Sequence, residues 1–264
     1  MLWPMQADNF EWIVPEWPAP ASVRACCSTR TAGHSVGPYA SFNLGLHVGD
    51  EAQQVRSNRN HLQGHIGVHA VFMDQVHGTD MLELNPRTAD GMAADGAFTT
   101  RAGLACCVMV ADCLPVLLCD AQGRQVAAAH AGWRGLLGVS GKGVLETAVA
   151  TFANAADPIA PASLMAWLGP CIGPKAFEVG DAVRAAFVAD SPPTAECFRP
   201  GAPGKWWADL PALARHRLAA LGVARIFGND GSDAWCTAGN ASRFFSYRRD
   251  GISGRMAACI WRIA

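Results

Sequence analysis

Three side chains stand out for the chemistry they would do together. His77 lies in Gln-Val-His-Gly, Cys113 lies in Val-Ala-Asp-Cys, and His130 ends the run Val126 to His130 and opens Ala-Gly-Trp-Arg-Gly. Each sits at the end of an apolar run beside Gly, Asp or Pro, where a side chain can turn into a cleft. Two imidazoles and a thiolate form a three-ligand zinc set with an open fourth position. Such a site lowers the pKa of a bound water toward ~7 and polarises an oxygen or nitrogen. The separations of 36 and 17 residues match no compact ligand motif. From spacing alone the metal signal is weak, and a buried core thiol with two hydrogen-bonded structural histidines is the plainer reading. A rival cluster, His61, His65 and His69, repeats every four residues and would share one helix face. Gly64 and Gly67 weaken that helix, and the cluster reads as a surface stripe.

Basic residues in loops form the next group. Arg30, Arg59, Arg134, Arg248 and Arg249 offer bidentate donors for a phosphate or carboxylate, or for an internal salt bridge. Arg59 and Arg249 are the candidates for anion contacts. Asn43, in Ser-Phe-Asn-Leu-Gly, is the candidate for a sugar or base contact, with the alternative of holding its own turn. Asp112 either orients a ligand or holds the neighbouring turn. No phosphate-binding loop, no dinucleotide glycine fingerprint and no Gly-x-Ser-x-Gly nucleophile elbow occurs. The prolines of Gly169-Pro-Cys-Ile-Gly-Pro174 remove amide donors that a phosphate cradle would use.

The elements that must position these residues are mixed. Strands are expected at Val23–Ser28, Ala70–Val76, Leu104–Val110, Leu114–Cys119, Val126–His130, Leu164–Leu168 and Arg255–Ile263. Helices are expected at Asp50–Leu62, with Val55, Asn58 and Leu62 at turn spacing, and at Val179–Val188 and Leu210–Leu221. A further helix is expected at Gly135–Phe152, with Val139, Val144, Leu145, Ala148 and Phe152 inward. Arg30 to Leu46 reads as an ordered loop, and Pro15–Pro20 and Ser191–Pro203 as surface connections. Strands cluster and helices do not alternate with them, which favours an α+β layered sandwich over a doubly wound sheet. No linker or repeat divides residues 1–264, so one domain is expected.

Composition narrows the partners. Hydrophobic residues make up 50% of the 264 and charged residues 16%, which excludes a disordered chain. Lys and Arg number 21 and Asp and Glu 22, for a net charge of −1. A nucleic-acid binder carries a basic excess, so a small-molecule substrate is expected, with no nucleic acid and no membrane. The most apolar stretch, Gly103 to Cys119, is broken by Asp112 and Pro115 and reads as two strands. Four of the ten cysteines form two vicinal pairs, Cys26-Cys27 and Cys106-Cys107. With no export signal at the N-terminus, reduced thiols in a cytoplasmic protein are expected.

Longer motifs run through nearly the whole chain. They include STRTAGHSVGPYASFNLGLHVGD (28–50), VRSNRNHL (55–62), DQVHG (74–78), ADGAFT (94–99) and VADCLPVLL (110–118). AAAHAGWRGL (127–136), WLGPCIGPKAFEVG (167–180), DLPALARHRL (209–218) and FFSYRRDGISGRMAACIW (244–261) complete the set. In these the sequence resembles the laccase-domain family, also called multicopper polyphenol oxidase-like or peptidoglycan-editing-factor proteins. It departs at Ala32, where the family usually has the first Gly of a pair, and at Lys175-Ala176. The resemblance implies a four-layer α/β/β/α sandwich, shared with the cytotoxic necrotizing factor deamidases, and a zinc site on His77, Cys113 and His130. It also implies purine nucleoside chemistry: phosphorolysis of adenosine, inosine and methylthioadenosine, and adenosine deamination.

Three functions follow from the same residues. The first is the zinc-dependent purine nucleoside enzyme, with a nucleoside and phosphate as substrates and His77, Cys113 and His130 as the catalytic set. The second is an amidase-type cysteine or metal hydrolase editing peptidoglycan precursors, with Cys113 as nucleophile and a histidine as base. The third is a copper-dependent polyphenol oxidase. Copper centres favour imidazole, and a multicopper enzyme would need more than the 8 histidines present, none of them in a His-x-His pair. A non-catalytic ligand sensor using the same pocket is the remaining option.

Overall fold

The computed structural model describes residues 10–264. In chain order its strands begin with β1 (Trp12–Ile13), β2 (Val23–Ser28), β3 (His69–Phe72), β4 (Met81–Glu83) and β5 (Gly96–Thr99). The central strands are β6 (Leu104–Val110), β7 (Leu114–Asp120), β8 (Val126–Ala131) and β9 (Leu164–Leu168). The last are β10 (Glu178–Gly180), β11 (Phe198–Pro200), β12 (Lys205–Ala208), β13 (Arg225–Gly228) and β14 (Met256–Arg262). The helices are α1 (Ala52–Ile66), α2 (Trp133–Leu137), α3 (Val144–Ala153), α4 (Asp181–Asp190), α5 (Leu210–Ala220) and α6 (Tyr247–Asp250). The strands form a five-stranded sheet, β1-β2-β14-β6-β3, a six-stranded sheet, β13-β9-β7-β8-β5-β4, and a small sheet, β10-β12-β11.

The two large sheets stack face to face with helices outside, giving the expected α+β four-layer order. Strand periodicity explains the layering, because successive side chains point to opposite faces. On β6, Cys106, Val108 and Val110 meet Leu117, Cys119 and Trp167 in the central layer. The intervening Ala105, Cys107 and Met109 pack outward with Leu62 and Ile66 of α1. On β7, Leu114, Val116 and Leu118 face Val144, Leu145, Ala148 and Phe152 of α3 and Leu213 and Leu218 of α5. Every residue of β6 and β7 is buried, which is why β6 and β7 up to Cys119 read as apolar runs. The vicinal cysteines divide between the layers: Cys27 and Cys106 face inward, Cys26 and Cys107 outward. Arg217 bonds Glu146 and Asp190 at once, tying α5 to α3 and α4.

Three expectations change. The helix expected at Gly135–Phe152 is two helices, α2 and α3, because Gly138, Ser140 and Gly141 all take positive φ. Val139 is consequently 80% exposed rather than inward. The strand expected at Ala70–Val76 ends at Phe72, and Val76 lies in an exposed turn. Ser191–Pro203 is more than a connection, since it holds β11, paired with β12. Ala32, where the related sequences usually carry glycine, sits at φ 64, the left-handed region that favours glycine. Among the described residues no helix is long and apolar enough to cross a membrane.

Candidate metal centre and its cavity

Cys113 ends the Ala111-Asp112-Cys113 turn that carries the chain from the five-stranded sheet into the six-stranded one. His130 lies on β8 opposite Pro115 of β7, so strand pairing brings it beside Cys113. His77 arrives from the loop after β3, in a left-handed conformation with φ 60. The three donor atoms lie within 4.8 Å of one another, and Cys113 Sγ is 3.8 Å from His77 Nε2. Tetrahedral zinc with ordinary Zn–N and Zn–S bonds separates its ligands by about 3.3–3.8 Å. The donor types suit zinc, and the set is close enough together to hold one metal ion.

Asp95 holds this arrangement and was not singled out from the sequence. It is fully buried, immediately before β5. Its Oδ1 accepts from His130 Nδ1 at 2.8 Å and from the His77 amide at 2.9 Å. Its Oδ2 accepts from the amides of Val76 at 3.2 Å and Gly78 at 2.6 Å. One carboxylate thus shapes the turn that presents His77 and fixes the His130 ring, leaving Nε2 as that ring's ligand atom. A carboxylate behind a ligating imidazole fixes its tautomer and raises its basicity. The sequence signal was Ala-Asp-Gly in the ADGAFT segment, where Gly96 continues into the strand that pairs with β8.

Electrostatics follow from these contacts. Burial pushes the Cys113 thiol up, but the charge and hydrogen bonds of His130 and His77 outweigh it and hold the thiol down at about 6. Burial pushes His130 down, and Cys113 and Asp95 together raise it to about 9. Burial also pushes Asp95 up, yet its bonds to His130 and the Gly78 and Val76 amides hold it below its usual range. Gly132 leaves room for the cluster: a Cβ there would stand 2.9 Å from Cys113 Sγ and 3.2 Å from His77 Cδ2.

The triad opens onto a cavity of about 500 Å³. Arg134, Arg248 and Arg255 line it, with His47, Trp133 and Tyr247. Asp112, the carboxylate on its wall, is already engaged. Its Oδ1 accepts from Thr237 Oγ1 at 2.6 Å and its Oδ2 from the Arg248 amide at 2.7 Å. Asp112 therefore holds the turn, at φ 101, and docks the α6 loop against it.

The other candidate residues are not among those that line this cavity. Asn43 is fully buried, with Oδ1 accepting from the Gly45 and Arg255 amides and Nδ2 donating to Asp50. Its polar atoms are consumed by the fold, which removes it from direct substrate contact. Arg59 donates to the Leu44 carbonyl, pairs with Asp90 and lies over the Phe72 ring. Arg249 is held by Asp250 and the carbonyls of Thr237 and Phe244. Arg30 donates to the carbonyls of Ala40 and Ala241. Each of these arginines completes local backbone carbonyls, a demand that sequence position does not reveal. The rival histidines are not a solvated stripe: His61 stacks on Phe10 at 3.8 Å and His65 on Trp12 at 4.2 Å. His69 begins β3 and contacts Gln63 at 2.9 Å.

Relatives share this architecture. The chain is 48% identical over 254 residues to the purine nucleoside phosphorylase YfiH of Escherichia coli, covering 95% of this chain and 98% of that protein. It is 45% identical over 251 residues to a purine nucleoside phosphorylase of Pseudomonas aeruginosa, again covering 95% and 98%. A crystal structure of a Neisseria meningitidis protein matches with a TM-score of 0.89 at 43% identity, over 96% of this chain and 99% of that one. YlmD from Geobacillus stearothermophilus matches with a TM-score of 0.84 at 32% identity, over 98% of both. The model of the family described as multi-copper polyphenol oxidoreductase laccase matches residues 24–263, and the chain belongs to that family.

Proposed function

We propose that this chain is a zinc-dependent purine nucleoside phosphorylase acting on adenosine, inosine and methylthioadenosine, with adenosine deamination as a second activity of the same pocket. The observation that carries the reading is the His77, Cys113 and His130 donor set opening onto a cationic cavity of about 500 Å³. That volume lies within the range of small-ligand pockets. The phosphorylase names of the Escherichia coli and Pseudomonas aeruginosa relatives support the reaction class. Zinc bound by the three side chains would supply a Lewis acid for a substrate oxygen or nitrogen. In phosphorolysis, a phosphate oxygen forms a bond to the ribose anomeric carbon as the bond to the purine nitrogen breaks. The proton of hydrogen phosphate ends on the departing purine. The chain's own part is to hold both substrates in line and surround the incoming anion with positive charge. Free thiols at all ten cysteines suit a reducing compartment, the cytoplasm.

A second reading draws on Cys113 itself. Its depressed thiol stands 3.8 Å from His77 Nε2, the pairing that a cysteine hydrolase uses. The copper oxidase reading ranks behind both. Among the described residues one three-residue cluster has metal-ligand geometry, and multicopper chemistry needs several.

Metal analysis beside an adenosine and phosphate assay separates these readings. One zinc per chain is expected, with turnover lost on chelation and restored by zinc. Cys113 should alkylate slowly until the metal is stripped. Full activity after verified metal removal, with Cys113→Ala inactive, would refute the zinc mechanism in favour of the cysteine hydrolase.

A further inference from the structure

Of the three arginines that line the cavity, Arg134 and Arg248 are exposed and Arg255 is half-buried. Arg217 has two carboxylates, and Arg59 has Asp90. Arg30 and Arg215 lack a carboxylate, but each spends three donor contacts on backbone carbonyls. Arg255 is half-buried and uses Nη1 alone, on the carbonyls of Ser253 at 2.9 Å and Gly254 at 3.1 Å. No carboxylate among the described residues stands within ion-pair distance of it. Its side chain lines the same cavity as His77, Cys113 and His130.

A dedicated scaffold holds it there. Asn58 Nδ2 donates to the Asn43 carbonyl at 2.8 Å, and Asn43 Oδ1 accepts from the Arg255 amide at 2.8 Å. The Leu44 amide donates to the Arg255 carbonyl at 3.0 Å. Gly45 admits the arginine stem, since a Cβ there would lie 2.8 Å from Arg255 Cγ. Two fully buried asparagines from distant segments thus fix the backbone of a residue whose remaining guanidinium donors have no carboxylate to meet. A guanidinium half-removed from water without an anion is costly, and its fork geometry matches a tetrahedral oxyanion. The neighbouring charges agree: Arg134 and Arg248 share the cavity, while both Asp112 oxygens are occupied.

We propose that Arg255 is the principal contact for inorganic phosphate in this cavity. The assignment rests on the phosphorylase reading for its role in turnover, but the anion site itself can be measured without turnover. The zinc-loaded protein, Arg255→Lys and Arg255→Gln are compared in two assays. Calorimetry titrates inorganic phosphate, and separately adenosine monophosphate, into each protein. Steady-state kinetics varies phosphate and adenosine independently, with thermal melting to confirm that the variants fold.

In Arg255→Gln the expected result is loss of phosphate binding and a rise of about tenfold or more in the phosphate KM, with the adenosine KM nearly unchanged. Arg255→Lys, which keeps the charge but not the fork, should fall between. If the wild type binds phosphate through Arg255 but splits no nucleoside, the site stands and the phosphorylase reading falls. If nucleosides are split and neither variant shifts phosphate binding or its KM, the assignment is overturned while the phosphorylase reading stands. It is also overturned if adenosine monophosphate needs Arg255 and free phosphate does not bind, or if both KM values rise equally.

Discussion

Two groups of histidines in this chain invite the same reading and have opposite structures. His61 and His65 sit one helical turn apart on α1, the spacing that places two ligands on one face. Their rings instead stack on Phe10 and Trp12, and Phe42 meets His61 edge-on. His77 and His130 are far apart in sequence, yet their ring centroids lie 4.9 Å apart with Cys113 beside them. What separates the groups is the buried carboxylate. Asp95 aims one ring and shapes the turn carrying the other, whereas the α1 pair is covered by aromatic surface. Regular spacing supplies a shared face; a ligand set needs groups that orient the nitrogens.

The comparison is most exposed at His130. His130→Ala removes a ligand and should abolish stoichiometric zinc, with activity falling by more than about a hundredfold, beyond the usual cost of outer-shell changes. Element analysis and nucleoside turnover check this, and retention of full zinc would show that the triad does not hold the metal. Asp95→Asn keeps all three ligands but loses the carboxylate. Zinc affinity should fall by roughly 10–100-fold, measured by chelator competition; an unchanged affinity would remove the distinction drawn between the two groups.

Acidification probes Asp95 differently. Its folded carboxyl lies below its ordinary value, so the ionised form contributes stability above the unfolded value, near 3.8, that is lost as pH falls through the folded one. Urea midpoints of the metal-free protein should drop more steeply below about pH 4 than those of Asp95→Asn. Parallel curves would place the acid-sensitive group elsewhere. The smallest effect belongs to the other histidines. His65→Ala should cost about 0.5–1.5 kcal/mol from its aromatic contact and leave zinc content unchanged. Zinc loss in a folded His65→Ala protein would reverse the contrast.

Local chemistry made much of the molecule readable. β6, β9 and residues 114–119 of β7 are apolar because both sheet faces are covered, and their buried runs match the strands expected from sequence. Val55, Asn58 and Leu62 repeat at the helical period and are all buried on α1. The short strands β4, β10, β11 and β13 carry too few residues to show a period, and their pairing partners lie far away. The break between α2 and α3 was hidden because Val139 and Val144 fit an apolar pattern while Gly138 and Gly141 turn the chain.

At the site, residue type and position at the ends of apolar runs marked His77, Cys113 and His130 only weakly, and the longer motifs around them strengthened the reading. Their convergence was decided by tertiary structure. The pairing of β5 with β8 sets Asp95 against His130, and the crossing between sheets sets Cys113 beside them. Likewise Asn43, Arg59 and Arg249 carry the right chemistry for substrate contacts, but nearby backbone carbonyls, amides and carboxylates engage their polar atoms. Arg255 meets Asn43 across 212 positions of sequence and takes the cavity instead. A sequence carries each side chain's donors, acceptors and charge. Which of them are spent inside the fold, and which are left facing a cavity, depends on partners that strand pairing and loop packing bring from elsewhere in the chain.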